Sequence, residues 1–446
     1  MSTEAYPYWP PDVPPLATVT WPKHFTWYQG QLLAYRRKAM VVAATGVVVI
    51  TERYQDEAGL VYCRVWYERD QHWNSVVIPL DALTQAEGMR ILTKVGVPVA
   101  TPGVLREFLW AWYALNSGAM PTHQVPHQGG WWQDRYVWGK TVWDHGDRVQ
   151  DDLFVLSEDA RQWQTLQQVP DAWVETARKA WNWWATKVLP EAPALSIGLA
   201  AMGGALLLEP YAQPNFLLHI ADQTSTGKTT TLELLASCLG VPYETNGLVR
   251  KWQTPPEALA AWVRWMRDSL WFLDDATRMT AGSLTDIVYW LASGNPPLGT
   301  GTTRGIAIST SELPMPSEPG GTLARTLSWD QSWIPPGAPV DKWHRYIQQH
   351  PDQWGWALGG LLLQYHIRKT ALLERVWVRP PPPQATGVER RWHGYWNTLV
   401  AGSKLWPART VGRYVLQAET AWWDQYFKQK GAKLDGSHES TAPRRD

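Results

Sequence analysis

The sequence predicts an α/β fold: a parallel sheet flanked by helices, preceded by a mixed α/β N-terminal domain and followed by a helical C-terminal region. Three observations carry this. Short apolar runs at 215–220, 269–273 and 305–309 read as buried strands. Helical patterns alternate with them, which argues for parallel pairing. The first run leads into a polar loop ending Gly-Lys-Thr and then into a helix at 228–239 that stops at Gly240.

The 446 residues suit two or three domains at roughly 100–200 residues each. We expect a mixed α/β domain over 1–150, a helical lead-in over 151–210 and the sheet core over 211–335. A helical lid-like region over 336–430 and a disordered polar tail over 431–446 complete the chain. In the first domain, 40–51 and 59–67 read as strands around a polar turn at 52–58, and 75–79 as another strand. Residues 83–95 and 102–117 read as helices, and 129–143 as a hairpin. The Pro-rich start, 1–22, reads as an extended arm. His123 and His127 lie around prolines, so a helical metal pair is not expected. The lead-in is helical over 171–208, broken near 190–193. Later helices are expected at 341–350, 354–377, 388–405 and 411–429, with a stiff Pro380–Pro383 connector.

Hydrophobic residues make up 45% and charged residues 18%, enough for a sizeable core. Lys plus Arg equals Asp plus Glu at 41 each, so net charge neither indicates nor excludes nucleic acid. Two cysteines without metal-ligand spacing point to a reducing cytoplasm rather than a disulfide framework. The N-terminus has no signal-peptide pattern and no apolar run is long enough for a bilayer, so no membrane partner is expected. Tryptophan is abundant, 32 residues against 6 Phe. These rings either replace Phe, Tyr and Leu in core and surface or supply exposed stacking platforms.

The loop 222–229 reads DQTSTGKT, close to the phosphate-binding pattern G-x-x-x-x-G-K-[ST] between a strand and a helix. Backbone N–H groups converging on a helix N-terminus make an anion site. Thr224, Ser225, Thr226, Gly227, Lys228, Thr229 and Thr230 are therefore the expected ATP-phosphate residues. Lys228 would reach the β and γ oxygens, and the Thr229 hydroxyl would ligate Mg²⁺. Asp222 stands where the first glycine belongs. Asp tolerates left-handed backbone, but a carboxylate beside a triphosphate must point away.

The second motif is 269–275, SLWFLDD. Asp274 would hold Mg²⁺ through water and Asp275 would polarise the attacking water. The strand 306–312, IAISTSE, offers Thr310 and Ser311 beside the γ-phosphate. In 320–327, GGTLARTL, Arg325 is the candidate contributed to a neighbour's nucleotide.

With these motifs in place, residues from about 181 to 402 resemble the DUF927 family, MCM-like AAA+ P-loop ATPases that include the Cch helicases of staphylococcal cassette elements. The resemblance rests on 194–210, 216–240, 269–279, 308–312 and the Gly-Gly…Ala-Arg of 320–325, with 354–366 and 390–406 behind them and the GGWW of 129–132 upstream. It implies a hexameric ring that threads single-stranded DNA through a central channel and unwinds duplex, often encoded by a mobile element or phage. A primase or other replication protein is a possible partner. The family's channel hairpin falls at 294–305, which lacks the expected lysine and carries only Arg304 as a DNA-contact candidate. Arg390 or Arg391 is a sensor-2-like candidate. Three functions remain open: a replicative helicase, an ATP-assembled DNA-binding initiator or loader, and an ATP-switched scaffold without unwinding.

Overall fold

A computed structural model describes residues 16, 19–37, 39–56, 59–69, 72–126, 128–150, 165–167, 169–295, 302–315, 320–375, 380–407 and 409–438. The chain splits into two compact units, one built mainly of residues up to His127, the other of Gln128–Asp152 and Gln162–Asp446.

The first unit holds two sheets. Strands β1 (Phe25–Tyr28), β2 (Gln31–Arg36) and β3 (Ala39–Ala44) form an antiparallel three-stranded sheet. Strands β4 (Val48–Gln55), β5 (Val61–Arg69), β6 (His72–Pro79) and β7 (Thr122–Gln124) form the other, in the order β6-β5-β4-β7. The apolar stretch 40–51, expected as one strand, is divided at residues 45–47 between the two sheets, and the expected turn at 52–58 begins only after Gln55. His123 lies in β7 rather than in a loop; His127 is outside the described residues. Helices α1 (Ala86–Lys94) and α2 (Pro102–Asn116) cover the core, where Leu105, Phe108 and Trp112 are fully buried. The Trp112 indole donates to the Ile50 carbonyl at 2.8 Å.

The second unit opens with a four-stranded meander: β8 (Gly130–Trp132), β9 (Arg135–Trp138), β10 (Thr141–Asp144) and β11 (Asp147–Gln150). This extends the hairpin expected at 129–143 and groups it with the second unit instead of the N-terminal domain. Helix α3 (Trp173–Trp183) continues into a π turn at Trp184–Val188, and helix α4 (Leu195–Leu208) is buried along its whole length. All-round apolarity is what a helix enclosed by other elements requires.

The central sheet consists of β12 (Phe216–Ala221), β13 (Val249–Lys251), β14 (Ser269–Asp274), β15 (Gly305–Ser311) and β16 (Thr326–Trp329), all parallel, in the order β13-β14-β15-β12-β16. Every residue of β12, β14 and β15 is buried, matching the continuous apolar runs of strands covered on both faces. Helices α5 (Lys228–Ser237), α6 (Pro256–Trp265) and α7 (Ala281–Ser293) make the crossovers. The C-terminal region is helical: α8 (Val340–Gln349), α9 (Ala357–Arg375), α10 (Gly387–Ser403) and α11 (Arg409–His438). The tail expected to be disordered from 431 is helical as far as His438; 439–446 lie outside the described residues, as does most of the 1–22 arm.

Just over half of the described tryptophans are buried. Trp112, Trp138, Trp143, Trp184, Trp252, Trp262, Trp271, Trp333 and Trp396 are among the largest fully enclosed side chains. Several pin backbone carbonyls through the indole N–H: Trp138 to Leu239 (2.9 Å), Trp271 to Met266 (2.9 Å) and Trp406 to Leu199 (2.6 Å). Cys63 and Cys238 are buried free thiols, their pKa values raised by burial.

Candidate nucleotide site at the carboxyl ends of the sheet

Open parallel sheets bind ligands beyond the carboxyl ends of their strands. Here those ends border a cleft of about 1200 Å³. Thr224–Thr230, Asp274, Asp275, Thr310 and Ser311 line it on the sheet side.

The loop after β12 turns through two left-handed residues, Ser225 (φ 65°) and Gly227 (φ 84°), before α5 begins at Lys228. Gly227 meets both demands on a glycine here: its φ is positive, and an added Cβ would press on Ile334 at 3.3 Å. The Lys228 ammonium donates to the Asp222 carbonyl at 2.7 Å and to the Gln223 carbonyl, so it sits folded over the loop.

Asp222 fits this loop because its carboxylate is occupied. Oδ1 accepts the Gln223 N–H at 2.7 Å, and Oδ2 accepts the Ser332 N–H at 2.7 Å. Burial alone would raise its pKa. The two N–H donors, from Ser332 and Gln223, and the Lys228 charge outweigh that and hold it below the ordinary value. Asp222 thus ties the loop after β12 to the segment after β16.

Asp274 closes β14 between two hydroxyls. The Thr229 hydroxyl donates to Oδ2 at 2.9 Å, and the Thr310 hydroxyl donates to Oδ1. Thr310 also accepts the Asp275 N–H at 3.2 Å. This follows from strand order, since β15 lies between β12 and β14 and presents Thr310 between the two motifs. Asp275 adopts φ 56°, and its carboxylate lies 3.7 Å from Arg278. Ser311 faces downward from the cleft edge: its hydroxyl contacts His219 Nε2 at 3.1 Å. His219 is wholly enclosed, and burial lowers its pKa to about 4 against the opposing pull of the Leu313 carbonyl, so the ring is neutral.

Two further candidates have their charge engaged within the chain. The Arg325 guanidinium stacks 4.1 Å from the Tyr289 ring centroid and donates to the Gly321 carbonyl at 2.7 Å. Arg304 pairs with Glu209 and donates to the Gln213 carbonyl at 2.9 Å; residues 296–301 of its hairpin lie outside the described residues. Arg390 is spent on the Ala385 carbonyl at 3.0 Å.

The sequence did not single out Glu312, which accepts the Thr224 hydroxyl and whose N–H reaches Thr277 Oγ1 at 2.8 Å. Nor did it single out the far wall, Gln331–Gly337 with Val340 and Asp341. The Pro-Pro-Gly at 335–337 was the available signal for a rigid turn there.

A family model described as "Domain of unknown function (DUF927)" matches residues 34–305 of 446, more than half of the chain. The chain belongs to the DUF927 family. This DUF927 chain also shares its fold with a solved structure described as "SCCmec type IV Cch - active helicase". The TM-score is 0.63 at 14% identity, covering 94% of this chain and 79% of that one. A second solved structure, "The X-ray structure of Inhibitor Bound to JCV Helicase", aligns at TM-score 0.24 and 15% identity, over 55% of this chain and 74% of that one. No curated protein matches. Among the described residues, no helix is long and apolar enough to cross a membrane.

Proposed function

We propose that this chain is an ATP-driven DNA helicase or translocase of a mobile element or phage, acting in the cytoplasm as a hexameric AAA+ ring in DNA replication. The observation that supports this most is the hydrogen-bonded set Thr229–Asp274–Thr310 beside Lys228. Its hydroxyl and carboxylate oxygens suit a hard cation such as Mg²⁺, and the cleft has room for a nucleoside triphosphate.

In this reading the N–H groups of Thr224–Thr230 and the Lys228 ammonium hold the phosphates, and Thr229 with Asp274 holds Mg²⁺, largely through water. The ion would supply charge neutralisation for phosphoryl transfer. Asp275 orients the attacking water, with Thr310 fixing the backbone of Asp275 and Ser311 on the same strand end. Arg325 serves the neighbouring protomer's site, a role that requires its release from Tyr289. Single-stranded DNA would occupy the central channel, with a primase as a possible partner.

A second reading, an ATP-assembled DNA-binding initiator or loader, is favoured by one observation. The candidate channel residue Arg304 is already paired with Glu209. Steady-state ATP turnover by wild type and Lys228→Ala, with and without single-stranded DNA, tests the main reading alongside strand displacement on a forked duplex. We expect DNA to raise wild-type turnover and the variant to lose at least roughly 10²–10³-fold. Turnover indifferent to DNA would sink the motor reading. DNA-stimulated turnover without displacement would select the loader.

A further inference from the structure

The outer face of the β1-β2-β3 sheet has a composition that core packing does not explain. Pairing places Phe25 opposite Ala34 and Trp27 opposite Leu32, and these residues belong to or pack against the first unit's core. Side chains alternate along a strand, so Thr26, Tyr28, Gln31, Leu33 and Tyr35 occupy the opposite face, where Leu33 is buried between the open tyrosines. Tyr35 pairs across to Met40. Tyr28, Tyr35 and Met40 are 60%, 55% and 48% exposed. Two tyrosines and a methionine left this open forfeit the burial that normally stabilises such side chains.

The segment that carries this face has charge of one sign. Residues 13–51 contain no Asp or Glu but include Lys23, His24, Arg36, Arg37 and Lys38, in a chain of zero net charge. Lys23, His24, Arg36 and Arg37 are exposed. Arg36 meets Glu107 of α2. Arg37 stands in the left-handed turn between β2 and β3 at φ 43°.

We propose that this face binds single-stranded nucleic acid, with bases stacked on Tyr28 and Tyr35 and the phosphate backbone running past Lys23 and Arg37. Tyr28 pairs with Gln31, four residues from Tyr35, so the rings stand ~13 Å apart along the strand direction. Stacking needs only a ring face, which every base matches, and the exposed cations Lys23 and Arg37 supply the complementary charge. Sheets carrying exposed aromatics are a recurrent platform for unpaired bases. The inference rests on the proposal that this chain acts on DNA, and it assigns the N-terminal unit a direct hold on the strand.

The test is fluorescence anisotropy of a fluorescein-labelled oligo-dT strand with the full chain at several salt concentrations, alongside ATP turnover without DNA. Tyr28→Ala/Tyr35→Ala should weaken binding by roughly fivefold to a hundredfold per tyrosine. Its basal turnover and thermal midpoint should stay at wild-type values. Tyr28→Phe/Tyr35→Phe, which keeps the rings, should bind as wild type does. Arg37→Ala should reduce the slope of log affinity against log salt by about 0.7. Wild-type affinity in the alanine pair would overturn the assignment, and is also the result expected if the face docks a protein or a lipid surface. A wild-type chain that binds no oligo-dT would instead remove the DNA reading itself, and this face with it.

Discussion

The two ends of strand β14 carry acids in opposite circumstances. Asp274 closes the strand at the cleft, held by two side-chain hydroxyls, those of Thr229 and Thr310. Asp268 precedes the strand at the other end and is completely buried. Its Oδ2 accepts the Trp131 N–H at 2.9 Å, and its carbonyl accepts the Tyr136 hydroxyl at 3.0 Å. Burial pushes the Asp268 pKa up to about 7 against the pull of Arg267 and Trp131. Hydroxyls can rotate away and exchange one partner for another, whereas a backbone N–H cannot. The same residue type is therefore held by exchangeable hydroxyls at one end of the strand and by a fixed backbone N–H of β8 at the other.

Three substitutions test that contrast. Asp274→Asn should lower ATP turnover by roughly 10²–10³-fold while leaving the thermal midpoint near wild type, because the isosteric amide removes charge and keeps volume. A large loss of midpoint would mean that Asp274 is structural too.

Asp268→Asn should act on stability and its pH profile. Folded Asp268 keeps its proton up to about pH 7, while the unfolded side chain releases it near 3.8. Its stabilising contribution is therefore full below about 3.8 and is lost as pH rises through about 7, a change of roughly 4 kcal/mol. Denaturant unfolding across this range should show wild type losing stability relative to the variant as pH increases. Parallel profiles would contradict this expectation.

Gly130→Ala should cost about 2–4 kcal/mol. Gly130 has φ +86°, and an added Cβ would lie 2.5 Å from Asp268 Oδ2 and 2.7 Å from the Arg267 carbonyl. Denaturant unfolding measures the loss, and the proposed ATP turnover should remain in whatever fraction stays folded.

This contrast also marks what was legible in the sequence. The Gly-Lys-Thr loop and the two acids at the end of β14 could be placed on their elements because the pattern is local: a strand, a turn and a helix start within a few residues. The parallel core followed from strands buried on both faces. The reach of Trp131 to Asp268 joins residues far apart in the chain, so nothing in the GGWW tetrad announced its partner. The Asp222 bond to Ser332 was hidden for the same reason, although it is what lets an acid stand in the glycine's place. The stretch 40–51 kept its strand character but changed sheets at residues 45–47, a break that β-branched composition does not register.

The closely packed indoles have an optical consequence. Trp183 and Trp184, Trp329 and Trp333, and Trp392 and Trp422 stand with ring centroids 6.2, 5.4 and 5.1 Å apart. Excitation absorbed by one such ring passes readily to its neighbour, so near-ultraviolet emission from this chain is pooled rather than local. Intrinsic fluorescence should report global unfolding sharply, yet register the cleft only weakly through Trp333. A labelled nucleotide excited through that pooled emission would turn the crowding into an antenna for the site.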